Sequence, residues 1–204
     1  MSSGGARSFA PASVARPDLV VDGHVEMWAV QTPVVLDALE RDGSSMVRMS
    51  YIDKKYGETA WSFKTAYAWF SREFARAVER PEGAESPVWL YRDSSWAAAG
   101  QDCVTLHLLI PAQELVMFDL RPWTRILSLE YLGQDERDED AFAAELARQG
   151  VSSPAEALRS SFYPLVKRGV IASWERLLTS ADGCPETYLQ GGVWCLKKEW
   201  LLPE

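Results

Sequence analysis

Residues 104–123 read VTLHLLIPAQELVMFDLRPW, two strongly apolar segments on either side of a Pro-Ala-Gln-Glu turn. Short apolar runs bounded by turn residues mark strands, so strands are expected at 103–110 and 115–120. His107 falls mid-strand among Leu106, Leu108 and Leu109 and reads as scaffold. Asp119 stands shortly before Pro122, and Trp123, Ile126, Leu127 and Tyr131 follow at helical spacing. Asp119 is therefore expected to cap a helix, its carboxylate accepting from the first free N–H groups.

Outward from this stretch, VEMWAV (25–30) alternates like a strand, and Thr32-Pro33 opens a helix that stops at Gly43. MVRMSYI (46–52) reads as a second strand. Residues 58–80 read as a helix with Phe63, Tyr67, Phe70, Phe74 and Ala77 or Val78 on one apolar stripe. Trp61 and Trp69 fall off that stripe, so either a second element covers the helix there or Trp69 lines a ligand cleft. PVWLYR (87–92) is a short strand, DSSWAAAGQD a mobile loop and the charge run GQDERDED (133–140) a solvated loop. AFAAELARQG is a helix with a glycine stop, and Ser153 with Glu156 is a capping box opening a helix to about Arg168. VIASWERLLT is helical again. The chain returns to strand in TYLQGGVWCLKKEWLL, where Gly191 and Gly192 imply a bulge or a close backbone approach. The expected architecture is one α+β domain over 24–204, with a mixed or largely antiparallel sheet, either continuous or split, flanking helices and a flexible leader over 1–23.

The chain has 204 residues and a net charge of −8. Without a basic stripe it is not expected to bind nucleic acid, and its acidity argues against an anionic membrane surface. No apolar run approaches the roughly 18 residues of a membrane span. Three cysteines without metal-ligand spacing fit a reduced, cytoplasmic protein. Two histidines leave little room for a His-based metal site, and dinucleotide, P-loop, zinc-protease and serine-hydrolase motifs are missing. No metal is expected.

Nine tryptophans stand out, several beside polar groups: Trp28 near Gln31, Trp89 beside Tyr91 and Arg92, Trp123 after Asp119, Trp194 after Gln190. An aromatic cleft with a few convergent polar groups is how a planar or sugar-bearing small molecule is held.

The spaced pattern of W-A-V-Q at 28–31, Y-A-W-F at 67–70, P-V-W-L-Y at 87–91, I-P-x-x-x-L-V-M-F-D-L-x-x-W at 110–123, S-W-E-R-L-L at 173–178 and Q-G-G-V-W-C-L at 190–196 resembles an uncharacterised bacterial family of domains of unknown function. The chain departs from that family at Cys195 and at Ser128, Leu129 and Glu130. The order of elements is also similar to small ADP-ribosyltransferase-like domains. That likeness implies NAD as co-substrate, with no permanently bound cofactor. It implies Trp28 and Gln31 on the first strand, Tyr67 and Trp69 near the nicotinamide, and Gln190 on the closing strand. Gln190 and Asp119 are the expected catalytic residues, and Trp28, Gln31, Tyr67, Trp69, Trp89 and Trp123 the expected ligand-binding ones. The function expected is a small-molecule enzyme, most concretely NAD-consuming ADP-ribosyl transfer or NAD glycohydrolysis. A noncatalytic small-molecule or protein binding module and a specialised-metabolite biosynthetic enzyme are the alternatives.

Overall fold

The computed structural model describes residues 14–203. The first strand, β1 (His24–Gln31), buries Val25, Met27 and Ala29 and turns Glu26, Trp28 and Val30 the other way. Helix α1 (Pro33–Asp42) starts on its proline and ends at Gly43, whose φ of 75° lets its N–H reach the Leu39 carbonyl. A two-residue strand, β2 (Ser44–Ser45), pairs with β7 (Leu196–Lys197).

Where a strand was expected over 46–52, the chain forms α2 (Met49–Tyr56). The sequence alternates well enough for a strand, yet Met49, Ile52 and Tyr56 also recur at helical spacing, and all three pack into the helical core. The Glu85 carboxylate accepts from the Met49 N–H at 2.7 Å, satisfying one otherwise unpaired donor of the first turn. Tertiary packing thus decides between two patterns that local alternation leaves open. Helix α3 (Ala60–Ala77) follows, with Tyr67, Phe70 and Phe74 buried as the stripe predicts.

The remaining strands are β3 (Val88–Tyr91), β4 (Val104–Pro111), β5 (Val116–Asp119) and β6 (Leu189–Val193). With β1 they form one sheet in the order β4-β1-β3-β6-β5, every neighbouring pair antiparallel. β1 and β4 pair over eight positions, whereas only Trp28↔Tyr91 pairs β1 with β3 among the described residues. β1 and β3 are thus joined more narrowly than the other neighbouring pairs of this one five-stranded sheet.

β4 and β5, adjacent in sequence, lie at opposite edges of this sheet, joined through a 3-10 turn at Ala112–Glu114. The sheet must curl strongly for so short a link to reach. Gly191 marks how tightly: a Cβ there would meet Leu115 Cδ1 at 2.7 Å and Met27 Cε at 2.9 Å. Of the two readings of the Gly-Gly pair, this is the close approach, since β6 keeps an unbroken register with both neighbours. The curled face encloses Met27, Leu90, Leu108, Ile110, Leu115 and Met117. The other face of β5 and β6 carries the helical core of Phe70, Phe118, Trp123 and Trp174.

Helix α4 (Leu120–Leu127) is capped by Asp119, which accepts from the Arg121 N–H at 2.8 Å. The expected loop over 133–140 is half helix, because α5 (Glu136–Arg148) begins inside it. Asp135 caps it by accepting from the Asp138 N–H, and Glu136, Asp138 and Glu139 sit in the first turn, where the helix dipole favours anions. Ser153 caps its helix by accepting from the Glu156 N–H, while the Glu156 carboxylate accepts from the Ser152 N–H, one residue before the cap, in place of the reciprocal bond of a full capping box. Its helix, α6 (Pro154–Arg159), is shorter than expected. Pro164 disfavours an α-helical predecessor, Tyr163 goes to a φ of 62°, and α7 (Pro164–Ser173) restarts from the proline. A 3-10 segment, Trp174–Thr179, completes the expected VIASWERLLT helix.

Of the leader expected over 1–23, residues 1–13 lie outside the described residues. Val14, Ala15, Leu19 and Val20 pack against the two cores, and Arg16 donates to the Cys184 carbonyl. No helix among the described residues is long and apolar enough to cross a membrane.

Candidate functional site

Directly paired residues of neighbouring antiparallel strands point to the same face. The registers Trp28↔His107, Trp28↔Tyr91, Tyr91↔Gln190 and Gln190↔Phe118 therefore lay one row of side chains across the whole sheet. At one end Phe118 is buried under Phe70 and Trp123, with ring centroids 5.1 and 5.8 Å away. Gln190 is buried beside it, Tyr91 is half-buried, and Trp28 and His107 are half-exposed. The row runs from core to solvent.

A cleft of about 510 Å³ opens at Tyr91, with Trp96, Leu120, Arg121, Thr124 and Tyr188 as its other walls. The stretch expected as a mobile loop supplies Trp96. A 3-10 turn at Ser94–Ala97, capped by Asp93, ties it down, and the indole N–H donates to the Thr187 carbonyl at 2.7 Å.

Arg121 is the cation of the cleft. Asp119, itself 6% exposed, accepts from the guanidinium through both oxygens, with Nη2 at 2.6 Å and Nε at 3.0 and 3.1 Å. Those hydrogen bonds raise the guanidinium pKa further above its already high value. The group lies over the Tyr188 ring, 4.7 Å from its centroid, with 57% of the side chain exposed. Asp119 thus caps α4 and fixes the cleft's charge at once. Behind it, burial pushes the Cys184 thiol up to about 11, and the Asp119 carboxylate adds to the shift.

The expected site residues fall into separate places. Tyr67, Trp89 and Trp123 do come together, with centroids 4.9 to 6.0 Å apart, as one aromatic cluster with Phe70 and Phe118. That cluster is core: Trp123 is 2% exposed, and burial pushes the Tyr67 hydroxyl up to about 12. Trp69 stands apart, edge-on to Trp174 at 5.6 Å, so a second element covers it and it lines no cleft. Trp28 is stacked on the His107 ring at 4.9 Å, with the Arg92 guanidinium 5.8 Å from its centroid. Gln31 is three residues further along β1 and so projects from the opposite side of the pleat. Gln190 lies between Tyr91 and Phe118, and its buried Oε1 has no hydrogen-bond partner among the described residues.

Sequence reasoning passed over Trp96, Arg121 and Tyr188. Arg121 carried a readable signal, since an arginine two residues after a helix-capping aspartate can bond that same carboxylate. Trp96 and Tyr188 carried none, because only the fold brings 3-10 turns ninety residues apart to one cleft. Among the described residues, no group of three or more His, Cys, Asp and Glu side chains is placed to hold a metal ion.

Fold and site define a single α+β domain with a five-stranded antiparallel sheet, a second sheet of two strands, and an aromatic, arginine-bearing cleft at the end of β3. The chain belongs to the family described as domain of unknown function DUF3841, whose model matches residues 26–202. No curated protein and no solved structure matches it.

Proposed function

We propose that the protein is a small-molecule enzyme whose cleft takes a planar, anionic ligand, and that NAD-consuming ADP-ribosyl transfer or NAD glycohydrolysis is its concrete reaction. The observation that carries this reading is the grouping of Tyr91, Trp96 and Tyr188 around Arg121, whose guanidinium Asp119 holds in place. Aromatic walls suit a base or a pyridine ring, and a fixed guanidinium suits a phosphate oxygen. Because Asp119 orients the arginine before any ligand arrives, less side-chain freedom is lost on binding.

Gln190, paired across β3 and β6 with Tyr91 of the cleft wall, is the candidate polar group next to this cleft. An amide N–H or ribose hydroxyl reaching its orphaned Oε1 would satisfy a buried acceptor that is costly to leave bare. The three cysteines are free thiols, which supports a reducing, cytoplasmic setting. The acidic net charge supports a small molecule over nucleic acid as partner.

Tryptophan fluorescence and thermal shift with NAD, ADP-ribose and nicotinamide test the reading. Quenching and a raised midpoint are expected with NAD and ADP-ribose. Arg121→Lys keeps the charge but loses the bidentate fork. It is expected to weaken ADP-ribose binding about tenfold, the scale of one charge-assisted hydrogen bond. Absence of any quenching or shift with all three ligands would sink it. A noncatalytic binding module is the second reading, favoured by the pairing of the cleft's one guanidinium with Asp119. Binding without NAD consumption would select it.

A further inference from the structure

The β1–β4 half of the sheet carries a second polar grouping, on the same cross-strand row as the cleft. His107 Nε2 lies 2.7 Å from Glu26 Oε1, and the two side chains are 38% and 43% exposed. An ionised carboxylate only accepts, so the contact places the imidazole proton on Nε2. In the neutral ring Nδ1 is then the lone-pair nitrogen, and it has no hydrogen-bond partner among the described residues. The ring lies flat on Trp28, with centroids 4.9 Å apart and an interplanar angle of 5°. Glu26 is held in turn. Arg92 Nη1 lies 3.5 Å from its other carboxylate oxygen and donates to its backbone carbonyl at 3.2 Å, while Arg92 Nε pairs with Glu186 at 3.0 Å.

A base, a carboxylate that orients it and a cation that fixes the carboxylate form the arrangement by which an exposed imidazole is made an effective proton acceptor. Tyr91 links this grouping to the cleft, since Trp28 pairs with both His107 and Tyr91. Two strand spacings, about 10 Å, separate the backbone at His107 from that at Tyr91. A dinucleotide spans such a distance.

We infer that His107 is the general base of the site, oriented by Glu26 as a positioning residue, for a substrate that extends from the Arg121 cleft across Tyr91 and Trp28. This rests on the NAD reading above. In the reaction, Nδ1 takes the proton of an acceptor hydroxyl or water as its oxygen bonds to the anomeric carbon of the nicotinamide ribose. The carbon–nitrogen bond breaks, its electron pair neutralises the pyridinium nitrogen, and nicotinamide leaves uncharged. The imidazolium returns its proton to solvent.

The chain's two histidines allow a direct test with diethyl pyrocarbonate, which acylates the unprotonated imidazole, followed by peptide mass spectrometry. His24, whose Nδ1 contacts the Asp22 carbonyl at 2.8 Å, is the internal reference. NAD is expected to protect His107 and leave His24 reacting. Glu26→Gln is expected to change the rate of His107 acylation and leave that of His24 unaltered. His107→Gln is expected to bind NAD as the unaltered protein does while consuming it roughly 100-fold more slowly. Two outcomes overturn the base while the NAD reading stands: NAD consumption left intact by His107→Gln, or His107 acylated equally fast with NAD bound. A protein that neither binds nor consumes NAD overturns both. Unchanged acylation in Glu26→Gln overturns the role given to the carboxylate, and this comparison needs no NAD turnover.

Discussion

At the scale of single residues, Gln190 holds function and stability in opposition. Its side-chain carbonyl is buried and has no hydrogen-bond partner among the described residues, so folding gave up its water without a replacement. Such a group costs about 1–3 kcal/mol. Gln190→Met, close in volume and without the polar atoms, is therefore expected to raise the thermal midpoint, by about 2–4 °C for each kcal/mol recovered in a chain of this size. The same change should weaken binding of NAD or ADP-ribose. A lowered midpoint with binding intact would show that the amide is satisfied by the fold itself. Phe70 is the contrast. Fully buried, it touches Phe74, Trp89, Phe118 and Trp123 and lines no cleft. Phe70→Ala should cost about 3–5 kcal/mol in urea unfolding. The sequence marked Phe70 as apolar and Gln190 as polar, but only the strand register tells that Gln190 sits next to Tyr91, and only helix packing that Trp69 faces Trp174 instead of a ligand.

At the scale of elements, local chemistry was legible wherever it closed on itself. Pro33 and Gly43 bound α1, Asp119 caps α4, and Ser153 with Glu156 opens α6, all through contacts within a few residues. Where a long-range contact decides, the pattern was ambiguous. MVRMSYI suits a strand or a helix, and it is Glu85 together with the aromatic core that selects the helix. The start of α5 is the intermediate case: a charge run reads as solvent-loving, yet Asp135 turns its second half into a helical first turn. Asp135→Ala should cost about 1 kcal/mol, the usual worth of a cap, and should uncouple a local network as well. Asp138 accepts from the Gln134 N–H at 2.8 Å and pairs with Arg176 at 3.2 Å. Hydrogen exchange confined to α5 and its neighbours is the expected signature, with β1 and β4 unaffected. Uniform loss of protection would mean that α5 is integral to the global core.

At the scale of the whole molecule, the class of fold followed from strands at both ends and in the middle of the chain. The strand order did not. β4 and β5 follow one another so closely that a hairpin is the natural expectation, whereas the sheet curls until its two edges are bridged by one short turn. That curl is closed by small and apolar groups, Gly191 against Leu115 and Met27, so titratable groups caught near either core are poorly solvated. Two of them predict how the molecule fails in alkali. Burial lifts the Cys184 thiol from 9.0 to about 11 and the Tyr67 hydroxyl from 10.0 to about 12. In each case the folded chain holds its proton more tightly than the unfolded chain, so the stabilisation is complete below the unfolded pKa and disappears as pH rises through the folded one. The window is pH 9 to 11 for Cys184 and pH 10 to 12 for Tyr67. The urea midpoint is therefore expected to be level from pH 7 to about 9 and to fall above it. Growing negative charge on a chain already at −8 also destabilises it in alkali, but that repulsion acts across the surface and salt screens it. Desolvation of a buried hydroxyl is screened far less. Tyr67→Phe should flatten the fall above pH 10 and Cys184→Ala the fall above pH 9, in 0.5 M salt as well as in dilute buffer. A decline that salt abolishes would assign the alkaline limit to net charge, and one that both variants leave unchanged would remove Cys184 and Tyr67 as its cause.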